Sequence, residues 1–111
     1  MWENLELYIR ESARQKLLGY QRANGEPAPI EVIEVEEALL NYYPKTRDPM
    51  PVKDERESNR TVPPTFWFIA QTTSERTLKV VVIPHKKAGL LILKSAHEPD
   101  QAEKEYFYGD H

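Results

Sequence analysis

Three apolar runs in the second half of the chain constrain the fold more than any other feature of the sequence. They span residues 65–73, 77–84 and 89–95 and are rich in aromatic and β-branched residues, which favour strands. The connectors, 74–76 and 85–88, are too short for a crossover helix, so consecutive strands must run antiparallel. The sequence therefore predicts a three-stranded antiparallel meander. Aliphatic residues on both faces of its last two strands indicate a sheet that is covered on both sides.

Amphipathic segments on either side of the strands predict helices. Apolar residues recur every three to four positions over residues 2–20, and again over 30–43, where glutamates occupy the opposite face. The β-branched start of the second segment leaves a strand open there. A shorter helix is predicted from Pro99 to Phe107, since proline suits the first helical turn. The predicted class is α+β in the order α-α-β-β-β-α, with the meander packed against the helices.

The segment 44–64 is the most irregular part of the chain. It contains five of the nine prolines and the charged run 53–57. A long proline-rich connection in a small domain is usually functional or disordered, so we predict a mobile loop. The tail, residues 109–111, is predicted to fray. Because the chain has 111 residues and no internal repeat, residues 1–111 are predicted to form a single domain.

The composition excludes several classes of protein. Without cysteine the chain can form neither a disulfide framework nor a thiolate zinc site. Loop histidines are favoured over a metal site built from His85 and His97 with a carboxylate, so no metal and no cofactor are predicted. The net charge of −3 argues against bulk electrostatic binding to nucleic acid. With no apolar run of roughly 18 residues and no secretory signal, we expect a cytoplasmic protein that does not associate with a membrane.

Basic residues gather toward the ends of the predicted meander. Arg76 lies in the first hairpin turn, and Lys94 closes the third strand shortly before His97. Cations that hold a phosphate, together with an imidazole that titrates near neutral pH, are what a metal-independent endoribonuclease needs. Arg76, Lys94 and His97 are therefore the candidate catalytic residues. Basic residues in hairpin turns also protect sheet edges, and this structural alternative stays open for each of them.

The second half of the chain resembles a known family of small bacterial proteins. A strand with the pattern R-x-L-x-V-V leads, after a short turn, to a strand ending in Ser-Ala-His and then to a short helix ending at a tyrosine. These elements are Arg76 to Ile83, Leu90 to His97, Glu98-Pro99-Asp100 and Glu103 to Tyr106. Over about residues 30–107 they are similar to the BrnT-like toxins and to uncharacterised relatives in the RelE-like superfamily. His97 stands where the family has an arginine, and a helix is predicted where the toxins have an initial strand.

The resemblance implies two functions on one fold. The favoured one is a non-catalytic or degenerate relative that acts through protein–protein interaction, with an antitoxin, another protein or a second copy of itself as partner. The alternative is a ribonuclease toxin of a type II toxin–antitoxin pair, with RNA as its substrate. In that case Arg76 and Lys94 would stabilise the phosphate charge, and His97 would act as acid or base. The acidic balance of the chain and the absence of a glycine-rich phosphate loop favour the first function.

Overall fold

The computed structural model describes Trp2 and residues 4–42, 49–56 and 61–109. Within these residues the chain forms one five-stranded sheet and three helices. The elements are β1 (Glu6–Tyr8), α1 (Glu11–Leu18), α2 (Val32–Tyr42), β2 (Val52–Lys53), β3 (Phe66–Gln71), β4 (Thr77–His85), β5 (Leu90–His97) and α3 (Gln101–Tyr108), with a 3-10 turn at Lys86–Ala88. The α+β class is confirmed, whereas the predicted order lacked β1 and β2.

The three central strands pair as an antiparallel meander. β3 pairs with β4, and β4 pairs with β5. The sheet order is β1-β5-β4-β3-β2, so a short strand extends the meander on each side. β1 runs parallel to β5, and β2 runs antiparallel to β3. The prediction of a three-stranded sheet is therefore corrected to a mixed sheet of five strands.

The predicted helix over residues 2–20 is wrong in its first half, where the chain forms β1 and the helix begins only at Glu11. Leu5, Leu7 and Ile9 are half-buried and Tyr8 is exposed, which is the two-residue alternation of a strand. Leu5 and Ile9 fit a spacing of two as well as a spacing of four, so their pattern did not separate strand from helix. The partner of β1 is β5, at the far end of the chain, and no local pattern reveals that pairing.

The helices α1 and α2 cover one face of the sheet. Leu17 of α1 and Val35 of α2 belong to the same buried core as Phe68 and Val80 of the strands. The ring of Tyr42, at the end of α2, stacks on Phe68 with 4.3 Å between ring centroids. α2 is helical from Val32, so the strand that the β-branched residues left open is not formed; the predicted last residue, 43, lies outside the described residues.

The third helix, α3, covers the opposite face. Trp67 and Lys79 alternate along β3 and β4 with Phe68 and Val80, which face α1 and α2, so they point to the other face. The rings of Tyr106 and Phe107 lie 6.0 and 5.7 Å from that of Trp67. α3 begins at Gln101 rather than at Pro99, because Asp100 caps it by accepting a hydrogen bond of 2.7 Å from the backbone N–H of Glu103.

The segment predicted as a mobile loop is described only in part, since residues 44–48 and 57–60 lie outside the described residues. In the remainder, Val52 and Lys53 form β2. The backbone N–H of Asp54 donates a hydrogen bond of 2.8 Å to the carbonyl of Thr65, which extends this attachment by one residue. The mobility of the segment stays a prediction, as does the fraying of the tail, whose residues 110 and 111 are not described.

Candidate functional site

Arg76, the first of the predicted catalytic residues, is held by contacts on several sides. Its Nε donates to Glu98 at 2.9 Å, and its Nη1 lies 3.2 Å from Glu34 of α2. The same guanidinium donates to the backbone carbonyls of Ala28 at 2.7 Å and Pro29 at 2.9 Å. Only 17% of the side chain is exposed. Arg76 thus joins β4 to α2 and to the connection that precedes α2.

Glu98 extends this network to a second arginine. Arg22 donates to Glu98 through Nε at 2.7 Å and through Nη2 at 3.0 Å, which is a bidentate pair. The hydrogen bonds from Arg22 hold the pKa of Glu98 below its ordinary value, although burial opposes the shift, and Arg76 adds to it. The same hydrogen bonds raise the pKa of Arg22. We call Arg22, Glu34, Arg76 and Glu98 the Arg76 cluster; its observed contacts are internal and structural.

The lowered pKa of Glu98 predicts how stability depends on pH. The unfolded chain binds the proton at the ordinary pKa of 4.5, above the folded value, so the stabilisation is complete above that pH and is lost as the pH falls through the folded pKa. Glu98→Gln should therefore lose less unfolding free energy than the wild type between neutral pH and about pH 3. Urea denaturation across that range measures the difference. The exposed control Glu36→Gln should follow the wild-type curve, and a parallel curve for Glu98→Gln would contradict the prediction.

His97, the last residue of β5, lies on the opposite face of the sheet from the Arg76 cluster. Its Nε2 is 3.4 Å from Oε2 of Glu103 in α3. The adjacent residue Glu98 points the other way, toward Arg76, as successive side chains in extended backbone do. The structure therefore does not bring Arg76 and His97 together.

Lys79 is the central residue on the face of the sheet that carries His97 and is covered by α3. It lies directly opposite His97 in the β4–β5 ladder, is only 4% exposed and donates a hydrogen bond of 2.6 Å to Oε2 of Glu103. Its Nζ lies 4.5 Å from the centroid of the Trp67 ring, which is a cation–π contact. Burial would raise the pKa of Glu103, but the hydrogen bonds from Lys79 and from the backbone of Asp100 lower it overall. Glu103 therefore serves α3 twice, with Oε1 in the capping box and Oε2 on Lys79.

Lys79, Trp67 and Glu103 line a cleft of about 390 Å³, which we call the charged cleft. Its lining is Val52, Lys53, Asp54, Glu55, Arg56, Trp67, Lys79, Asp100, Ala102, Glu103 and Tyr106. Asp54 is buried and accepts hydrogen bonds from Nε of Arg56 at 3.1 Å and from Nη2 at 2.8 Å, while most of the Arg56 side chain is exposed. The cleft therefore pairs each of its two most buried charges, Asp54 and Lys79, with an opposite charge.

Lys94, the remaining predicted residue, lies in β5 at a register shift between Val81 and Val82 of β4. It is half-buried and precedes His97 by three residues, which is about 10 Å of extended chain. The predicted trio is thus divided between the two faces and along the length of β5. Its assignment to catalysis stays a prediction.

Lys79, Glu103, Asp54 and Arg56 are not among the site residues predicted from the sequence. Lys79 could nevertheless be recognised as the only charged residue of the apolar run 77–84, a position where a lysine needs a partner. Glu103 was visible through its spacing from Asp100, which matches a capping box. Asp54 and Arg56 gave no comparable signal, because they lie in the segment predicted to be mobile.

A larger depression, which we call the apolar groove, lies at the end of the sheet where β3 begins and β4 ends. It has a volume of about 780 Å³ and is lined by Trp2, Met50, Pro51, Val62, Pro63, Pro64, Phe66, Pro84, His85, Lys86 and Lys87. Met50 is 54% exposed and Val62 is fully exposed. Apolar side chains exposed together in this way mark interaction sites more often than single exposed residues do.

Comparison with family models, curated proteins and solved structures finds no match to this chain. Among the described residues, no group of three or more histidine, aspartate or glutamate side chains is placed to hold a metal ion. None of the helices that the structure describes is long and apolar enough to cross a membrane. The charged cleft and the apolar groove are therefore the two surfaces from which a function can be inferred.

Proposed function

We propose that this protein is a non-catalytic binding module with a RelE/BrnT-like fold, and that it acts through a protein partner bound in the apolar groove. The observation that carries the proposal is the groove itself. It exposes Met50 and Val62 beside the apolar edges of Trp2 and Phe66. Burying these side chains against a partner removes apolar surface from water, which is the main favourable term in protein association.

The contacts of Arg76 support a non-catalytic role. A phosphate would compete for its guanidinium with two carboxylates and two backbone carbonyls that already accept its hydrogen bonds. Displacing them would leave Glu34 and Glu98 partly buried without this cation, which is costly. The arginine that the sequence analysis assigned to phosphate binding is thus engaged in holding the fold together.

The order of the elements is compatible with the resemblance on which the proposal draws. The strand β1 stands where the resemblance implies an initial strand, although the sequence analysis predicted a helix there. Two helices, the antiparallel strands and a final short helix follow. The resemblance itself stays part of the proposal.

Selection from a displayed random-peptide library tests the binding function. We expect peptides enriched on the wild-type protein to lose at least about tenfold in affinity for the Met50→Gln/Val62→Gln variant, because apolar contacts to exposed groove residues are removed. Both substitutions are at exposed positions and should leave the unfolding free energy within about 0.5 kcal/mol of the wild type.

The matched control is Ile33→Gln/Leu40→Gln, which removes two exposed apolar side chains of α2 that do not line the groove. This control should retain the affinity of every enriched peptide. Peptides that bind the groove variant as tightly as the wild type would remove the groove from the function.

A ribonuclease is the second candidate, and the charged cleft is the observation that favours it. The cleft and its margin combine an imidazole, His97, with the cations Lys79 and Arg56 and the carboxylate of Glu103. General acid–base cleavage at a 2′-hydroxyl uses an acid or base together with cations that stabilise the phosphate. In this version His97 is the acid or base. Arg56 contacts the phosphate, because its side chain is far more exposed than that of Lys79.

Induced expression in a bacterial host separates the two candidates. The binding module predicts normal growth and intact total RNA, with no difference between the wild type and His97→Ala. Growth arrest with RNA cleavage that His97→Ala abolishes would replace the binding module by the ribonuclease.

A further inference from the structure

The rim of the apolar groove has one sign of charge. Lys86 and Lys87 occupy the 3-10 turn at its edge, and its described lining contains no carboxylate. Within the part of the chain that the structure describes, neither lysine forms an ion pair. The whole chain carries a net charge of −3, so this rim is a local reversal of the overall balance. A reversal confined to the edge of an apolar surface selects partners by charge complementarity.

His85 adds a directed donor to the same rim. Its Nδ1 accepts a hydrogen bond of 3.2 Å from the backbone N–H of Ala88, which fixes the ring against the 3-10 turn. A neutral ring held in this way carries its proton on Nε2. The rim therefore presents the Nε2–H of His85 and two ammonium groups, all of which are hydrogen-bond donors.

The backbone of the groove is poor in donors, in contrast to its rim. Four of its lining residues, Pro51, Pro63, Pro64 and Pro84, are prolines and have no N–H. A partner that adds a strand to a sheet edge needs a row of backbone donors and acceptors on that edge. A helix satisfies its own backbone hydrogen bonds and needs only a surface for its apolar side chains. The prolines thus favour a helix as the occupant.

Resting on the proposed function, we infer that the occupant of the apolar groove is an amphipathic helix of a partner protein that carries carboxylates beside its apolar stripe. The stripe packs on Met50, Val62 and Phe66. The carboxylates accept hydrogen bonds from the side chains of Lys86, Lys87 and His85. The apolar floor provides affinity, and the rim sets the orientation of the helix and excludes basic segments.

A single-stranded RNA fits this surface less well than an acidic helix. Proteins that bind RNA without sequence preference combine a basic groove with exposed aromatic rings on which bases stack. Here Trp2 is buried, Phe66 is half-buried, and the exposed floor residues are a methionine and a valine. The negative net charge of the chain also opposes a polyanion at long range.

A second selection, from a displayed library of helical peptides, tests the inference. Every member carries the same apolar stripe, and the flanking positions hold glutamate, lysine or glutamine at equal frequency. We expect the wild type to enrich glutamate over lysine about tenfold, and Lys86→Glu/Lys87→Glu to reverse the preference. The control Arg14→Glu/Lys16→Glu makes the same change in charge on α1, outside the groove lining, and should keep the preference for glutamate.

The outcomes separate this inference from the proposed function. Equal enrichment of glutamate and lysine on the wild type, or unchanged glutamate enrichment on the charge-reversed variant, would overturn the acidic helix. If Met50→Gln/Val62→Gln still removed binding, the groove would stand as a binding site for a partner of other chemistry. Dominance of proline-containing extended peptides in the unrestricted selection would overturn the helical conformation. Binding of a mixed-sequence single-stranded RNA that Lys86→Glu/Lys87→Glu abolishes, without glutamate enrichment, would assign the lysines to a phosphate backbone.

Discussion

Arg76→Ala is expected to lower the free energy of unfolding by about 2 to 3 kcal/mol, because it removes one partner from a set of partly buried ion pairs. Glu34 and Glu98 would lose this cation, and the carbonyls of Ala28 and Pro29 would lose a donor. Urea denaturation at neutral pH measures the loss. Arg76→Lys should restore part of it, since an ammonium keeps the charge but not the forked geometry of the guanidinium.

The matched control is Arg14→Ala. Arg14 also pairs with a glutamate, Glu11, but both side chains are exposed, so the loss should stay within about 0.5 kcal/mol. An Arg76→Ala protein as stable as the wild type would show that the Arg76 cluster does not hold the fold together. It would also make Arg76 available again for the phosphate-binding role that the sequence analysis assigned to it.

Phe107→Ala should be the most destabilising single substitution in α3, at about 3 to 5 kcal/mol. Phe107 is 1% exposed and lies between Tyr42 of α2 and Trp67 of β3, with ring centroids 6.4 and 5.7 Å away. It therefore connects the helix on one face of the sheet to a helix on the other. Because Glu103 shares α3 with it, loosening the helix should also expose Lys79 and the Trp67 ring that Lys79 contacts. Exposure of this ring to water would appear as a red shift of the Trp67 fluorescence.

Two variants control for the loss of Phe107. Tyr108→Ala removes the neighbouring aromatic ring, which is largely exposed, and should change stability by no more than about 0.5 kcal/mol. Phe107→Leu keeps most of the buried volume and should cost about 1 to 1.5 kcal/mol. Equal effects of Phe107→Ala and Tyr108→Ala would contradict the packing described for α3.

The central strands were predictable because their signals are local. Each of the runs 65–73, 77–84 and 89–95 forms a strand of the meander, although β4 and β5 extend one and two residues beyond the predicted ends, and the short connectors left only antiparallel pairing. α2 and α3 were predictable for the same reason, through apolar spacing and, for α3, a proline near its first turn, although α3 begins two residues after Pro99. In contrast, β1 has three residues and β2 has two, and each is held as a strand by pairing with a strand from another part of the chain. No property of such short segments distinguishes them from a helix start or a loop.

The candidate site was predictable only in part, for a related reason. His97 was selected as a candidate acid or base, and that role stays a prediction; the structure places it beside Glu103 and opposite Lys79. Arg76 was grouped with it because both lie near the same end of the predicted meander. Residues near one end of a sheet can still face opposite sides, and the partners of Arg76 other than Glu98 come from α2 and the preceding connection, which the sequence pattern did not bring near it. The apolar groove was not predicted, since it joins residues from four separate parts of the chain, at residues 2, 50–51, 62–66 and 84–87.

The two tryptophans provide the most direct test of the central claim, because Trp2 lines the apolar groove and Trp67 lines the charged cleft. The measurement is a nuclear magnetic resonance titration that follows the two indole N–H signals, assigned with Trp2→Phe and Trp67→Phe. Peptides selected on the wild type are added in one series and a single-stranded RNA in the other. A protein that acts by binding a partner in the groove should show a shift of the Trp2 signal with peptide and no shift of either signal with RNA. A shift of the Trp67 signal with RNA, together with an unmoved Trp2 signal in the peptide series, would contradict the account and place the function in the charged cleft.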